Sequence, residues 1–184
     1  MISLGRQVPE ASTLSTSKEP QWISAAIAGA GDLAYRWDIL TDKLEWSGNL
    51  AELIGDPAGG LESGHGFNNR IHPEDLPNRL KALSDHFAGE GPYECEFRLR
   101  TGQGSIIWMH DRGLAELDKD GTPLVLTGTL RIITARKQAE AHFERVANYD
   151  ELTGHFNKTR LRDELDQALT FARRFSVPGA FLVV

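Results

Sequence analysis

The most regular pattern in the chain is Tyr93-Glu94-Cys95-Glu96-Phe97-Arg98-Leu99-Arg100, where apolar and charged residues alternate without interruption. A period of two predicts a strand with one buried and one wet face. Thr101-Gly102-Gln103-Gly104 follows as a hairpin loop, and Ser105 to Leu117 is the next strand. Asp118-Lys119-Asp120-Gly121 turns the chain, and Leu124 to Ile133 reads as the last strand. Earlier, Leu33, Tyr35, Trp37 and Ile39 share one face of a strand. Thr41-Asp42 then turns into a second strand carrying Leu44 and Trp46.

Between these groups the spacing is helical. Leu50, Leu53 and Ile54 form a small helix ended by Gly55, with Pro57 beyond it. Gly59, Gly60, Gly64 and Gly66 mark a loose loop. Pro73-Glu74-Asp75 starts a longer helix, its acids facing the positive helix end, with Leu76, Leu80, Leu83 and Phe87 as the buried stripe. Two strands, short helices and three antiparallel strands make an α+β arrangement.

The ends read differently. Residues 1–19 lack periodicity and are expected to be disordered. Pro20 opens a short helix with Trp22, Ala25, Ala26 and Gly29 on one side. After the sheet, Thr134 is the expected N-cap of a helix on which Ala139, Phe143 and Val146 are spaced four then three, a coiled-coil rhythm. After Asn157 comes an amphipathic helix with Leu161, Leu165, Leu169 and Phe171. Ser176 to Gly179 breaks it, and Ala180 to Val184 reads as a buried strand.

Composition narrows the function classes. The 184 residues carry a net charge of −6, so neither nucleic acid nor an anionic membrane is an expected partner. Cys95 is the single cysteine, which excludes an internal disulfide and fits a reducing cytoplasm. No apolar run approaches the roughly 20 residues of a membrane span, and the N-terminus lacks a secretory signal's layout.

The order of elements resembles the PAS fold, of the PAS fold-3 type, over about residues 30–134. The resemblance rests on Trp37-Asp38, Trp46-Ser47, Ile71-His72-Pro73-Glu74-Asp75, the Tyr93 to Arg100 strand, Trp108, Arg112-Gly113, Asp120-Gly121-Thr122-Pro123 and Ile133 to Glu140. It implies a five-stranded antiparallel sheet with short helices on one face, in a sensory or dimerisation module, some of which hold haem, flavin or a metabolite. A homodimer is the expected assembly. The family usually ends its last strand with Asp-Ile-Thr, which ties the domain to the outgoing helix. Here Ile132 stands at the Asp position, and only Thr134 remains of that latch.

A small molecule in the cavity would meet Trp37, Trp46, Phe87, Phe97, Trp108 and Arg112, with plain core packing as the alternative for the aromatics. An inward Arg112 would suit an acidic metabolite, whereas an exposed Asp111-Arg112 ion pair is the plainer reading. His86 lies on the helix that supplies the haem ligand in some relatives. Its setting between Leu83 and Gly89 is an ordinary helix end, so no haem is expected. His72, before Pro73, caps or orients the helix start. The Asn-Cys-Arg-Phe-Leu type motif of covalent flavin binders is missing. Cys95 reads as a packing residue, and no Cys/His spacing fits structural zinc.

A second resemblance begins at Tyr149. Asp150, Leu152, Thr153, Gly154 and Asn157, then Arg160-Leu161, Arg174 and Ala180 to Val184, are similar to the start of a GGDEF domain, which makes cyclic di-GMP. The expected organisation is therefore a disordered segment 1–19, a PAS domain 20–134, a linker helix 135–149 and a truncated α/β GGDEF start 150–184, with Thr134 at the junction and Ala139, Phe143 and Val146 along the linker as signal positions. In that family the strand matching Phe181 to Val184 leads to an Asp that binds catalytic divalent ions. Mg²⁺ and GTP belong to a complete parent domain, and no catalytic residue is assigned here. His155 and Lys158 replace the usual Leu and Arg, as in divergent domains of composite proteins that also carry an EAL phosphodiesterase domain.

Overall fold

The computed structural model describes residues 21–55 and 60–180. The expectations for 1–19, Pro20, Pro57 and Gly59, and for the strand ending at Phe181 to Val184, lie outside them. In chain order the elements are α1 (Gln21–Gly29), β1 (Asp32–Asp38), β2 (Lys43–Ser47), α2 (Leu50–Ile54), α3 (Gly64–Asn68) and α4 (Leu76–Phe87). They continue with β3 (Tyr93–Arg100), β4 (Ile106–Leu117), β5 (Pro123–Ile132), α5 (Thr134–Asn148) and α6 (Lys158–Phe175).

The five strands form one antiparallel sheet in the order β2-β1-β5-β4-β3. The β1–β5 pairing closes the sheet between the start and the end of the domain, placing Leu33 opposite Leu130 and Trp37 opposite Leu126. Strand alternation sends Leu33, Tyr35, Phe97, Leu99, Met109, Leu126 and Leu130 to one face, where they pack with Ile54, Leu61, Phe67 and Leu83 from the helical side. Each such side chain contributes about 1.5–3 kcal/mol when fully buried. Gly128 permits the close packing at the sheet's centre: a Cβ there would lie 2.4 Å from the Arg112 carbonyl oxygen and 2.6 Å from the Tyr35 ring.

Three local expectations are corrected. The glycine-rich loop contains the helix α3, because Ser63 is an N-cap whose hydroxyl accepts the Gly66 amide at 3.0 Å. The long helix starts at Leu76 rather than Pro73. The Asp75 carboxylate turns away from the helix end to accept the Arg98 backbone amide and Nε, both at 2.8 Å. That helix is also rotated relative to the expected stripe: Leu80 is exposed and Arg79 is buried. Elsewhere Gly55 ends α2 in the left-handed conformation, as its sequence position predicts.

Candidate functional site

Beneath the helices, β1, β2, α3, α4, β4 and β5 enclose a small cavity lined by Tyr35, Trp37, Leu44, Trp46, Gly64, Phe67, Arg79, Asp111 and Leu130. The space open to the centre of a water-sized sphere is about 10 Å³, about the least that holds one water. Both tryptophans are pinned by their indole N–H groups. Trp37 Nε1 donates to Asp42 Oδ1 at 2.9 Å, and Trp46 Nε1 donates to the Leu61 carbonyl at 2.6 Å. Asp42, in the β1–β2 turn with φ +56°, also accepts the His65 amide at 3.1 Å and so holds the first turn of α3.

A charged cluster sits at the cavity's inner end. Asp111 is fully buried and accepts the Tyr35 hydroxyl at 2.9 Å and the Tyr93 hydroxyl at 2.6 Å, one on each oxygen. Arg79 Nε stands 3.6 Å from Asp111 Oδ2. Arg79 Nη1 donates to Asn68 Oδ1 at 2.6 Å, while its guanidinium carbon lies 5.2 Å from the Phe67 ring centre and 5.8 Å from that of Phe97. Arg79 Nε is buried with no hydrogen-bond partner. Burial pushes the Asp111 carboxyl upward, opposed first by the Arg79 charge and then by the hydrogen bonds from Tyr93 and Tyr35. Burial likewise holds both tyrosine hydroxyls well above their ordinary value, with the Asp111 charge adding to it.

The predicted pocket residues separate into two groups. Trp37 and Trp46 line the cavity. Phe97 is fully buried and Phe87 half-buried in the same core. Trp108 and Arg112 lie on the opposite face of the sheet, since residues one apart from the buried Met109 and Asp111 must point the other way. The Asp111-Arg112 ion pair is corrected for the same reason. Arg112 is exposed and pairs with Glu94 at 2.7 Å, with His110 on the same carboxylate. Arg79 and Asp111 were missed because each is a charged residue in an apolar position; the parity of Met109 and Asp111 on β4 was the available signal.

The ring of His86 bridges two elements. Its Nε2 accepts the Ala115 amide at 3.1 Å, leaving Nδ1–H to donate to the Gly91 carbonyl at 2.6 Å. Both ring nitrogens are thus occupied by backbone. Cys95 is half-buried, and its thiol is pushed up to about 11 by burial and the Asp111 charge. Among the described residues no group of three His, Cys, Asp or Glu side chains could hold a metal ion, and no helix is long and apolar enough to cross a membrane.

The outer face of the sheet anchors α5. Thr134 does not cap that helix; Ile133 occupies the N-cap position. The Thr134 hydroxyl instead accepts the Trp108 amide at 2.9 Å, and the Trp108 carbonyl accepts the Ile133 amide at 2.8 Å. Glu96 binds Arg136, and binds Lys137 at 2.7 Å. Those two charges hold the Glu96 carboxyl below its usual range, Lys137 first. The cations of Arg98 and Lys137 stand 5.5 and 5.2 Å from the centre of the Trp108 ring. Where the last strand carries Ile132 instead of an acid, Glu96 on β3 supplies the negative partner of the helix.

Beyond α5, residues 149–157 form a compact turn. Asp150 Oδ1 accepts the Thr153 amide and hydroxyl at 2.9 and 2.8 Å, and Gly154 takes φ +70°. Asn157 caps α6 through the Arg160 amide at 2.9 Å, and its side-chain amide donates back to the Ala147 carbonyl at 2.8 Å. Leu152 is 94% exposed, and Ala139, Phe143 and Val146 are also exposed.

Comparison with known proteins places these features. Residues 43–130 match the family model described as the PAS fold. A sensory box histidine kinase/response regulator of Burkholderia thailandensis superposes with a TM-score of 0.57 at 25% identity, covering 79% of this chain and 98% of that one. The N-terminal domain of a diguanylate cyclase with PAS/PAC sensor from Marinobacter aquaeolei gives 0.52 at 20% identity, over 58% and 98% of the two chains. The uncharacterized protein y4lL of Sinorhizobium fredii is 30% identical over 131 residues. That match takes in 67% of this chain but spans only 15% of the length of that relative.

Proposed function

This chain carries a PAS domain, and we propose that it is the sensory part of a bacterial cyclic di-GMP signalling protein, passing the state of its core to an output domain through α5. The observation that carries the reading is the attachment of α5 at Trp108, through Thr134, Ile133, Glu96 and Lys137. A helix held by its first turn to the sheet, and tied at its last turn only to the segment that follows it, converts a shift of β3 or β4 into a movement of that segment. The turn at Asp150 to Asn157 supports a GGDEF-type output, since it has that family's opening residues and a helix behind them. The PAS domain of the Marinobacter diguanylate cyclase has the same fold. His155 and Lys158 favour a divergent output domain whose parent degrades cyclic di-GMP rather than making it.

The proposed setting is a cytoplasmic homodimer in which the exposed Trp22 and Leu114 pair copies along the outer sheet face. Fusing residues 21–157 to a diguanylate cyclase output domain tests the reading. Glu96→Gln should change cyclic di-GMP production at least severalfold without altering the circular dichroism spectrum. Equal output from parent and variant would refute transmission through α5. The chain by itself should form no cyclic di-GMP from GTP with Mg²⁺. A ligand-free dimerisation scaffold is the second reading, favoured by the cavity's size of about 10 Å³.

A further inference from the structure

We propose that the cavity under α3 takes a small uncharged molecule with a hydrogen-bond acceptor on an apolar, planar body, its acceptor seated on Arg79 Nε. This rests on the sensory reading above and names the chemistry of its signal. Arg79 has only 5% of its side chain exposed, lines the cavity, and keeps one buried N–H without a hydrogen bond. A buried donor of that kind is a strong preference for an acceptor atom. Asp111 attracts this group as a counter-charge but stands 3.6 Å from Nε, beyond hydrogen-bond distance.

The charge balance decides against an ion. Arg79 and Asp111 together sum to zero, so an added carboxylate or ammonium would be a third buried charge without a counter-charge. The remaining lining combines the aromatic Tyr35, Trp37, Trp46 and Phe67 with Leu44 and Leu130, which suits a flat apolar body. Anything larger than a water must displace the wall on the α3 side. That wall is a five-residue helix held at its first turn by Asp42 and Ser63. Asp42 is also bonded to Trp37, so seating the ligand shifts Trp37 and α3 together.

Three probes of one shape test this on the full chain: acetophenone (neutral, with an acceptor), benzoate (an anion) and toluene (no acceptor). Binding is read from the indole N–H signals of Trp37 and Trp46 and the Nε–H signal of Arg79 in ¹H–¹⁵N spectra. Trp108, on the other face, serves as internal control. Acetophenone should move the three cavity signals and not Trp108, and bind about tenfold more tightly than either analogue, the net worth of one hydrogen bond. Arg79→Lys should lose that advantage while toluene affinity stays unchanged. If this variant does not fold, the Arg79 Nε–H shift in the unaltered chain decides. Equal affinity for toluene would overturn the acceptor and leave the sensory reading intact. Tightest binding of benzoate would overturn the neutrality. No binding by any probe would overturn the proposal, while the fusion output measured with Glu96→Gln judges the sensory reading separately.

Discussion

Replacing Arg79 by Met removes the one cation from the buried cluster and nearly conserves volume. Two unit charges 3.6 Å apart attract by about 5 kcal/mol at an effective dielectric of about 20. Breaking a buried pair by removing one partner typically costs about 3–5 kcal/mol, because the other charge is left uncompensated. We therefore expect Arg79→Met to lose about 3–5 kcal/mol of unfolding free energy at neutral pH, a large share of the ~5–15 kcal/mol of a domain. Asp111→Asn should also destabilise, but the double variant should be less damaged than the sum of the two, by at least about 2 kcal/mol. Urea unfolding followed by tryptophan fluorescence measures all four corners of the cycle.

The pH dependence has a definite sign. Burial raises the Asp111 carboxyl and Arg79 opposes this, so its removal raises the folded-state value further. A raised group contributes stability below its unfolded value and loses it as pH rises through the folded one. The deficit of Arg79→Met should accordingly be largest at neutral pH and shrink on acidification. A coupling of less than about 0.5 kcal/mol, or a deficit that grows toward acid, would refute an ionic Arg79–Asp111 pair.

Other outcomes follow from the same structure. The Asp75 carboxyl is held below its ordinary value chiefly by the Arg98 side chain, so its stabilisation is present above the unfolded carboxylate range and lost as pH falls through the folded value. Asp75→Asn should flatten the acid limb of the stability curve, and an unchanged limb would count against the bridge. Cys95, pushed up to about 11, should react with iodoacetamide at pH 8 on the order of a hundredfold more slowly than an unhindered thiol; a rate equal to that of the unfolded chain would contradict its burial. Gly128→Ala should destabilise by several kcal/mol or prevent folding, since the added methyl meets the Arg112 carbonyl and the Tyr35 ring. A midpoint in urea matching the parent would show that β5 can move away.

The sheet was legible because strand alternation records which face is buried. Tyr93, Phe97 and Leu99 on β3, and Leu33 and Tyr35 on β1, fall where their parity places them. The cavity's polar end was not. Arg79 and Leu80 are neighbours on a helix whose apolar stripe admits either, and only the carboxylate of Asp111 across the core selects the arginine. No local pattern carries that information. Asp111 had a parity signal, outweighed by the adjacent Arg112 and the usual exposure of aspartate. The α3 helix was hidden by its own glycines, which read as loop until Ser63 and Asp42 hold its first turn. Thr134 reads as an N-cap because Thr is a common capping residue, whereas in the structure Ile133 holds that position and the Thr134 hydroxyl serves the sheet.

The attachment at Trp108 also gives α5 a rotational phase. One backbone bond, the Thr134 hydroxyl and the Glu96 ion pairs hold its first turn at one angle to the sheet. Each later residue is displaced around the axis by a fixed increment of about 100°. The number of residues between Thr134 and Asn148 therefore sets the direction in which anything attached beyond α5 faces. One inserted residue would turn that direction by more than a quarter circle, whereas seven would restore it to within about 20°. In this chain the length of a helix is itself an angular setting, and the tie to Trp108 is its zero mark.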